Sequence, residues 1–369
     1  MILLAIPYGI LFLYSTNSNE ISKLFKSIII ITGIFVTIIS VFLIIPLELS
    51  KNMGKGGLVL RDSTATVVAF GEGMKKRLLV NGIGITYLTP ITKMMAHLPL
   101  SIRKKKPKSA LIIALGMGTT LRSAASWGIN VKCVELVPSV LEAFPYFYKD
   151  ASLILKKPNV KVIIDDGRRY LNRTRDKYDV IVIDPPPPIE AASTSLLYSR
   201  EFYKIIAEHL KKDGIFQHWF PGGENKILEA VVRSLVDVFP YIRVYKSFEG
   251  WGFHFLASME PFQTPSPKDS VSRLPAIAKD DIVEWATGIE SYNDLEREDL
   301  LEEYFSLSFE KEIPVELLLN QKDKNDPHLR HQPFFSDSKS FLNFEPFEIS
   351  ANLNSLTNCL KPLVSNDNL

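Results

Sequence analysis

Apolar and polar positions fall into distinct regimes along the chain. From Ile28 to Ile45 the sequence is apolar without a charge, within a wider apolar stretch, Leu24–Leu49. At about 1.5 Å rise per residue, that stretch is long enough to cross a hydrocarbon layer of about 30 Å. Its Thr32, Thr37 and Ser40 can bond back onto their own helix, which keeps insertion feasible. Met1–Tyr14 is also apolar but shorter, and reads as the end of another span. Transmembrane segments are therefore expected within residues 1–50. They would place the chain in the inner (cytoplasmic) membrane, with the part that follows them expected in the cytoplasm.

The pattern then changes period. Thr64–Phe70 and Arg77–Val80 are apolar patches separated by Gly71-Glu72-Gly73, and Asn81-Gly82 follows as a second turn signal. A small β-hairpin domain is expected over 58–100, closing with a helix from Thr89 through His97 that carries Pro90 in its first turn. From Lys108 onward short apolar runs alternate with helical stretches. Strands are expected at Ala110–Leu115, Val131–Val134, Val160–Ile164, Tyr178–Ile183, Gly214–Trp219, Ile242–Tyr245 and Phe253–Ala257. This alternation predicts an α/β fold over 108–260, a doubly wound seven-stranded Rossmann-like sheet. In such sheets ligands sit beyond the carboxyl ends of the strands. After about Gln263 the chain becomes rich in Pro, Ser and Asn with an acidic stretch, so 263–369 reads as an irregular C-terminal extension.

Composition narrows the function classes. Hydrophobic residues are 46% and charged residues 23% of 369, which excludes a disordered chain. A net charge of +2 carries no nucleic-acid footprint. Two cysteines, Cys133 and Cys359, exclude a disulfide scaffold and a Cys-rich zinc module. His97, His209, His218 and His254 lack metal-ligand spacing, so no metal is expected.

The candidate chemistry lies at strand ends. Gly116 and Gly118 follow the first strand of the α/β part, and glycines there let the backbone turn and approach a ligand. Glu135 ends the second strand, about 20 residues beyond that loop, where an acid is placed to bond ribose hydroxyls. Asp165-Asp166-Gly167 ends the third, with an acid able to accept from an adenine amino group. No third-position glycine or P-loop lysine supports a dinucleotide or nucleoside triphosphate. The set suits an adenosyl ligand such as S-adenosylmethionine or its decarboxylated form, taken as a co-substrate rather than as a resident cofactor. Asp184 ends the fourth strand ahead of Pro185-Pro186-Pro187-Pro188, a stiff loop behind a carboxylate that could act as general base for an attacking amine.

These residues resemble the spermidine synthase (polyamine aminopropyltransferase) family, in particular bacterial members fused to membrane helices. The resemblance rests on the glycine loop running into Thr120-Leu121-Arg122, on Glu135, on Asp166-Gly167 and on Tyr-Asp-Val-Ile-Val-Ile-Asp at 178–184. Leu197–Tyr203, Gly214–Gln217, Gly250-Trp251-Gly252-Phe253 and the His97-Leu98-Pro99-Leu100 segment also match. It implies a class I methyltransferase-like sheet and transfer of an aminopropyl group from decarboxylated S-adenosylmethionine to an amine. Glu135 would then hold the ribose, Asp166 the adenine, and Asp184 would deprotonate the acceptor. A small-molecule amine, the membrane and a second copy of the chain are the partners implied, with no nucleic acid.

Several positions depart from the family. Met117 stands for an Asp, Pro187 for an acid, Ile91-Thr92-Lys93 for Tyr-His-Glu, and Asn81-Gly82 for Asp-Gly. Most of the lost groups would face cationic amines, so an acceptor other than, or besides, putrescine is expected. Two alternatives stay open: an S-adenosylmethionine-dependent methyltransferase, suggested by Asp184-Pro185-Pro186, and a non-catalytic adenosyl-binding membrane protein.

Overall fold

The structure, a computed structural model, describes residues 57–184, 192–222, 225–249, 252–286, 294–310 and 312–319. The apolar stretches within 1–50, the four prolines after Asp184, Trp251 and residues 320–369 lie outside the described residues.

Four short strands open the described chain: β1 (Leu58–Arg61), β2 (Thr66–Phe70), β3 (Arg77–Val80) and β4 (Ile83–Tyr87), paired antiparallel in sequence order. Asn81 and Gly82 both take positive φ, +53° and +79°, which is what a two-residue hairpin turn demands.

Helix α1 (Pro90–Ile102) starts with Pro90 at its first position and the Thr89 hydroxyl accepting from the Ile91 N–H at 3.2 Å. It runs past the expected end, through Pro99. All thirteen of its residues are buried, against α2 (Thr119–Ala125) and β9 (Leu210–Phe220) among others. A helix apolar nearly all round is thus used inside the fold.

Three β-α steps follow: β5 (Ser109–Ile113) into α2, β6 (Asn130–Glu135) into α3 (Pro138–Phe147) and α4 (Ala151–Leu155), and β7 (Val160–Ile164) into α5 (Gly167–Arg173). β8 (Tyr178–Ile183) leads through α6 (Arg200–His209) to β9, then α7 (Asn225–Val236), β10 (Tyr241–Lys246) and β11 (Phe253–Ser258). With β12 (Glu312–Ile313) at one edge, the large sheet has the order β12-β10-β11-β9-β8-β5-β6-β7, parallel from β9 to β7 and antiparallel from β9 to β12. β8 is buried at all six positions, as a central parallel strand covered on both faces must be. One face packs on α1, α2 and α3 around Ile112, Val131 and Val182, and the other on α5, α6 and α7 around Ile113, Ile181 and Ile183.

Two expectations are corrected here. The sheet has eight strands, because β12 (Glu312–Ile313) adds to β10. The segment after Gln263 carries helices among its described residues rather than being irregular there: α8 (Pro267–Arg273), α9 (Ala276–Val283), α10 (Asp294–Phe309) and α11 (Val315–Leu319). α9 is locked to the core by a buried polar cluster. Trp127 Nε1 donates to His97 Nδ1 at 3.0 Å, and His97 Nε2 lies 2.9 Å from Asp281 Oδ2. Asp281 also accepts from Ser123 Oγ at 2.6 Å and Arg122 at 2.7 Å. Burial pushes His97 down, so the ring is neutral, with its proton on Nε2 facing the carboxylate. Burial opposes ionisation of Asp281, but Lys93 and His97 hold it well below the usual carboxylate range.

The membrane location expected from the amino-terminal stretches is not supported, and those stretches lie outside the described residues. Among the described residues no helix is long and apolar enough to cross a membrane. α1, buried along its whole length, spans only about 20 Å.

Candidate active site

β5 lies between β6 and β8, so the chain leaves this central strand at the point where the connections run to opposite sides. Strand hydrogen bonding continues one residue beyond each strand. The Ala114 N–H donates to the Val134 carbonyl at 2.9 Å, Asp165 N–H to the Glu135 carbonyl at 2.9 Å, and Asp184 N–H to the Ile113 carbonyl at 3.0 Å. Three loops are thereby stapled side by side.

Ala114 has φ +72°, a left-handed conformation that costs a residue with Cβ on the order of 1–2 kcal/mol. Strain of this kind is held only where the surroundings over-determine it. Gly116 (φ +55°) and Gly118 (φ +86°) complete the turn into α2. They need glycine for different reasons. A Cβ on Gly118 would stand 2.2 Å from the Phe144 ring, so this position serves the packing of α2 on α3. A Cβ on Gly116 would meet only Thr86 Cγ2 at 3.7 Å and Asp184 Oδ2 at 3.8 Å, so Gly116 faces the carboxylate. Met117 between them is 2% exposed and belongs to the core with Leu115 and Leu121.

Glu135 is buried, and each of its carboxylate oxygens takes a backbone N–H: Leu115 at 2.7 Å and Val137 at 2.9 Å. Burial raises its carboxyl, while those N–H groups work in the opposite direction. The Leu136 and Gly116 N–H groups act on the same carboxylate, so it is a negative charge held at the strand end by backbone N–H groups of two loops. Leu136, next to it, is 48% exposed, an apolar surface beside the polar one.

Asp166 caps α5 by accepting from the Arg169 N–H at 2.7 Å, and its neighbour Asp165 is turned into ion pairs with Arg169 and Arg173. Gly167 is a packing position, since a Cβ there would lie 2.5 Å from Ile113 Cγ2. Asp184 keeps a partly exposed side chain, yet the surrounding protein withdraws it from water enough to push its carboxyl up to about 7. The Thr120 hydroxyl, 3.2 Å from Oδ2, opposes that rise, and the negative charge of Glu135 adds to it.

Gly116, Glu135 and Asp184 therefore converge, whereas Asp166 sits one strand further out. Lys93, where the resemblance expects an acid, points away. Its ammonium bonds Glu284 Oε2 at 2.7 Å and the Asp281 carbonyl, and lies 3.9 Å from the Trp285 ring centroid. Ala114 carries no sequence signal that singles it out, and Thr120 stands out only as part of the segment after the glycine loop, with no role attached. Leu136 was detectable as an apolar residue directly after a strand-end acid.

Residues 89–248 match the spermine/spermidine synthase domain. Over these residues the chain is similar to the spermidine synthase family. It is 28% identical to the polyamine aminopropyltransferase of Thermoplasma volcanium over 207 residues, 51% of this chain and 75% of that one. The Thermococcus kodakarensis enzyme is 32% identical over 179 residues (46% and 55%), and the Thermotoga maritima enzyme 31% over 160 residues (42% and 53%). The match thus spans three quarters of the first of these relatives and about half the length of the other two. A crystal structure of spermidine synthase with the transition-state analogue AdoDATO superposes with a TM-score of 0.54 at 23% identity, covering 71% of this chain and 87% of that one, which establishes the fold. The family match falls on the α/β part, starting at residue 89, and supplies no ground for a membrane location.

Proposed function

We propose that the chain transfers an aminopropyl group from decarboxylated S-adenosylmethionine to an amine acceptor. The observation that carries this reading is the Asp184 carboxyl, pushed up to about 7 beside the open face of Gly116 and next to Glu135. A general base works best when its pKa lies near the operating pH. In this reading Glu135 accepts from the ribose hydroxyls, Leu136 lies along the adenine and Asp166 takes its amino group. Asp184 accepts the proton of the acceptor amine as the nitrogen bonds the propyl carbon and the carbon–sulfur bond breaks, leaving methylthioadenosine. The relatives' shared name, polyamine aminopropyltransferase, supports this choice of reaction.

The acceptor is expected to be an amine other than, or besides, putrescine, because Met117 and Lys93 offer no carboxylate to a distal ammonium. The test incubates the full chain with decarboxylated S-adenosylmethionine or S-adenosylmethionine and a panel of mono-, di- and triamines. Methylthioadenosine with an aminopropylated product is the expected outcome. S-adenosylhomocysteine would assign methyl transfer instead, and nucleoside binding with no product from any amine would remove catalysis.

A further inference from the structure

Thr120 carries one hydroxyl proton and faces two acceptors. Its Oγ lies 3.1 Å from the Thr92 carbonyl oxygen on α1 and 3.2 Å from Asp184 Oδ2. Thr120 is fully buried in the first turn of α2, so water does not compete for that proton. Thr92 is itself fixed, its hydroxyl donating to the Thr89 carbonyl at 2.7 Å. The second acceptor is thus a rigid part of the fold.

We propose that Thr120 is the positioning residue of Asp184, a hydroxyl rotor that donates to the ionised carboxylate and turns to the Thr92 carbonyl once Asp184 is protonated. This rests on the role of Asp184 given above. In the ionised state the Thr120 O–H points at Oδ2, stabilises its charge and fixes its rotamer. After Asp184 has taken the acceptor's proton, the Thr120 O–H points at the Thr92 carbonyl, and the freed lone pair accepts the new Asp184 O–H. No proton leaves Thr120, and neither state leaves a buried donor without a partner.

Thr120→Val keeps the shape and removes the rotor, and Thr120→Ser restores it. A hydrogen bond to a charged group of this kind corresponds to a shift of about one pK unit. In Thr120→Val the acid limb of the kcat/KM profile is therefore expected to move up by about one unit. The rate would fall about tenfold at pH 6 and differ little at pH 9, and Thr120→Ser would keep the original limb. A merely structural defect would lower the rate at every pH alike. Asp carboxyl carbons are also titrated by 13C NMR in the three proteins, with Asp184→Asn identifying the resonance. That readout does not depend on which reaction the chain performs, so the rotor can be judged even if aminopropyl transfer is not found. An Asp184 titration in Thr120→Val that coincides with the unsubstituted protein overturns the proposal. So does a pH-independent loss of rate with an unmoved carboxyl resonance.

Discussion

The two glycines of one loop make a sharp test, because the structure gives them unequal reasons. At Gly118 a methyl group would stand 2.2, 2.4 and 2.9 Å from three Phe144 ring carbons, and Phe144 is fully buried with Tyr148 edge-on at 5.9 Å. The ring has no free space to move into. Overpacking of this kind costs about 1–3 kcal/mol. The left-handed backbone at φ +86° adds about 1–2 kcal/mol for any residue with Cβ. Gly118→Ala is therefore expected to lose about 2–5 kcal/mol. Gly116→Ala meets only ordinary van der Waals contacts, so it should lose about 1–2 kcal/mol from backbone strain alone. Its methyl would nevertheless stand 3.8 Å from Asp184 Oδ2, on the face offered to the ligand. Urea unfolding of the full chain reads the stabilities, and calorimetry with methylthioadenosine reads the site. The expected result is a crossover, Gly118→Ala being the less stable protein and Gly116→Ala the weaker binder relative to its stability. In Phe144→Ala/Gly118→Ala the clash is gone, so the two losses should fall short of additivity by about 1–3 kcal/mol. Equal stabilities for the two single variants, or strict additivity in the double one, would refute the packing assignment.

Asp184→Asn should abolish turnover while leaving methylthioadenosine affinity within a few fold, and residual turnover near the original rate would remove Asp184 from the chemistry. Its stability effect has a sign. The native carboxyl holds its proton to about 7 while the unfolded one releases it near 3.8, so stability falls as pH rises through that window. Asp184→Asn should accordingly gain on the order of 2 kcal/mol at pH 8 and little at pH 4, allowing for the partial exposure of the side chain. A gain that does not change between those pH values would count against the raised carboxyl. Glu135→Gln cannot accept on both sides, and leaving the Leu115 or Val137 N–H without its acceptor should cost about 1–3 kcal/mol and weaken nucleoside binding; equal affinity in a titration would sink its ribose role. Asp281→Asn leaves buried Lys93 and Arg122 short of countercharge and should cost about 3–5 kcal/mol in thermal unfolding, with a loss under 1 kcal/mol contradicting the clamp.

Much of this is legible in the sequence, and the reasons are local. β5 to β8 are short apolar runs whose neighbours are helices, and a parallel sheet buried on both faces writes its strands that way. Gly116, Glu135 and Asp184 were visible because each directly follows or ends such a run. The extension after 263 was not. On α10 the buried positions, Leu300, Leu301, Tyr304, Phe305, Leu307 and Ser308, are interleaved with acids, and α9 turns the charged Asp281 inward. A polar residue that is buried because a partner from distant sequence neutralises it defeats any reading by hydrophobic period. α1 shows the same effect, since Lys93 and His97 are interior residues only through Asp281 and Glu284, some 180 residues away. The role of Thr120 was unreadable for a related reason. Its meaning depends on the Thr92 carbonyl, a backbone atom with no sequence identity.

Glu135 shows how closely the fold and the chemistry are tied. Its main-chain oxygen holds the β7 loop through Asp165, and its side chain holds the β5 loop through Leu115, so the carboxylate is at once a structural staple and a charge facing the cleft. Burial does most to raise Asp184 and that charge adds to the rise, a repulsion between the two acids. A positively charged ligand relieves this repulsion, whereas a neutral nucleoside does not. A sulfonium donor followed by an amine fits both parts of that requirement. The donor's charge favours the ionised form of Asp184, and the ionised form is the one able to accept the proton that the attacking nitrogen must lose. The same two carboxylates would give a neutral or anionic ligand no such return, which is why the geometry supports a reaction between cations at these strand ends.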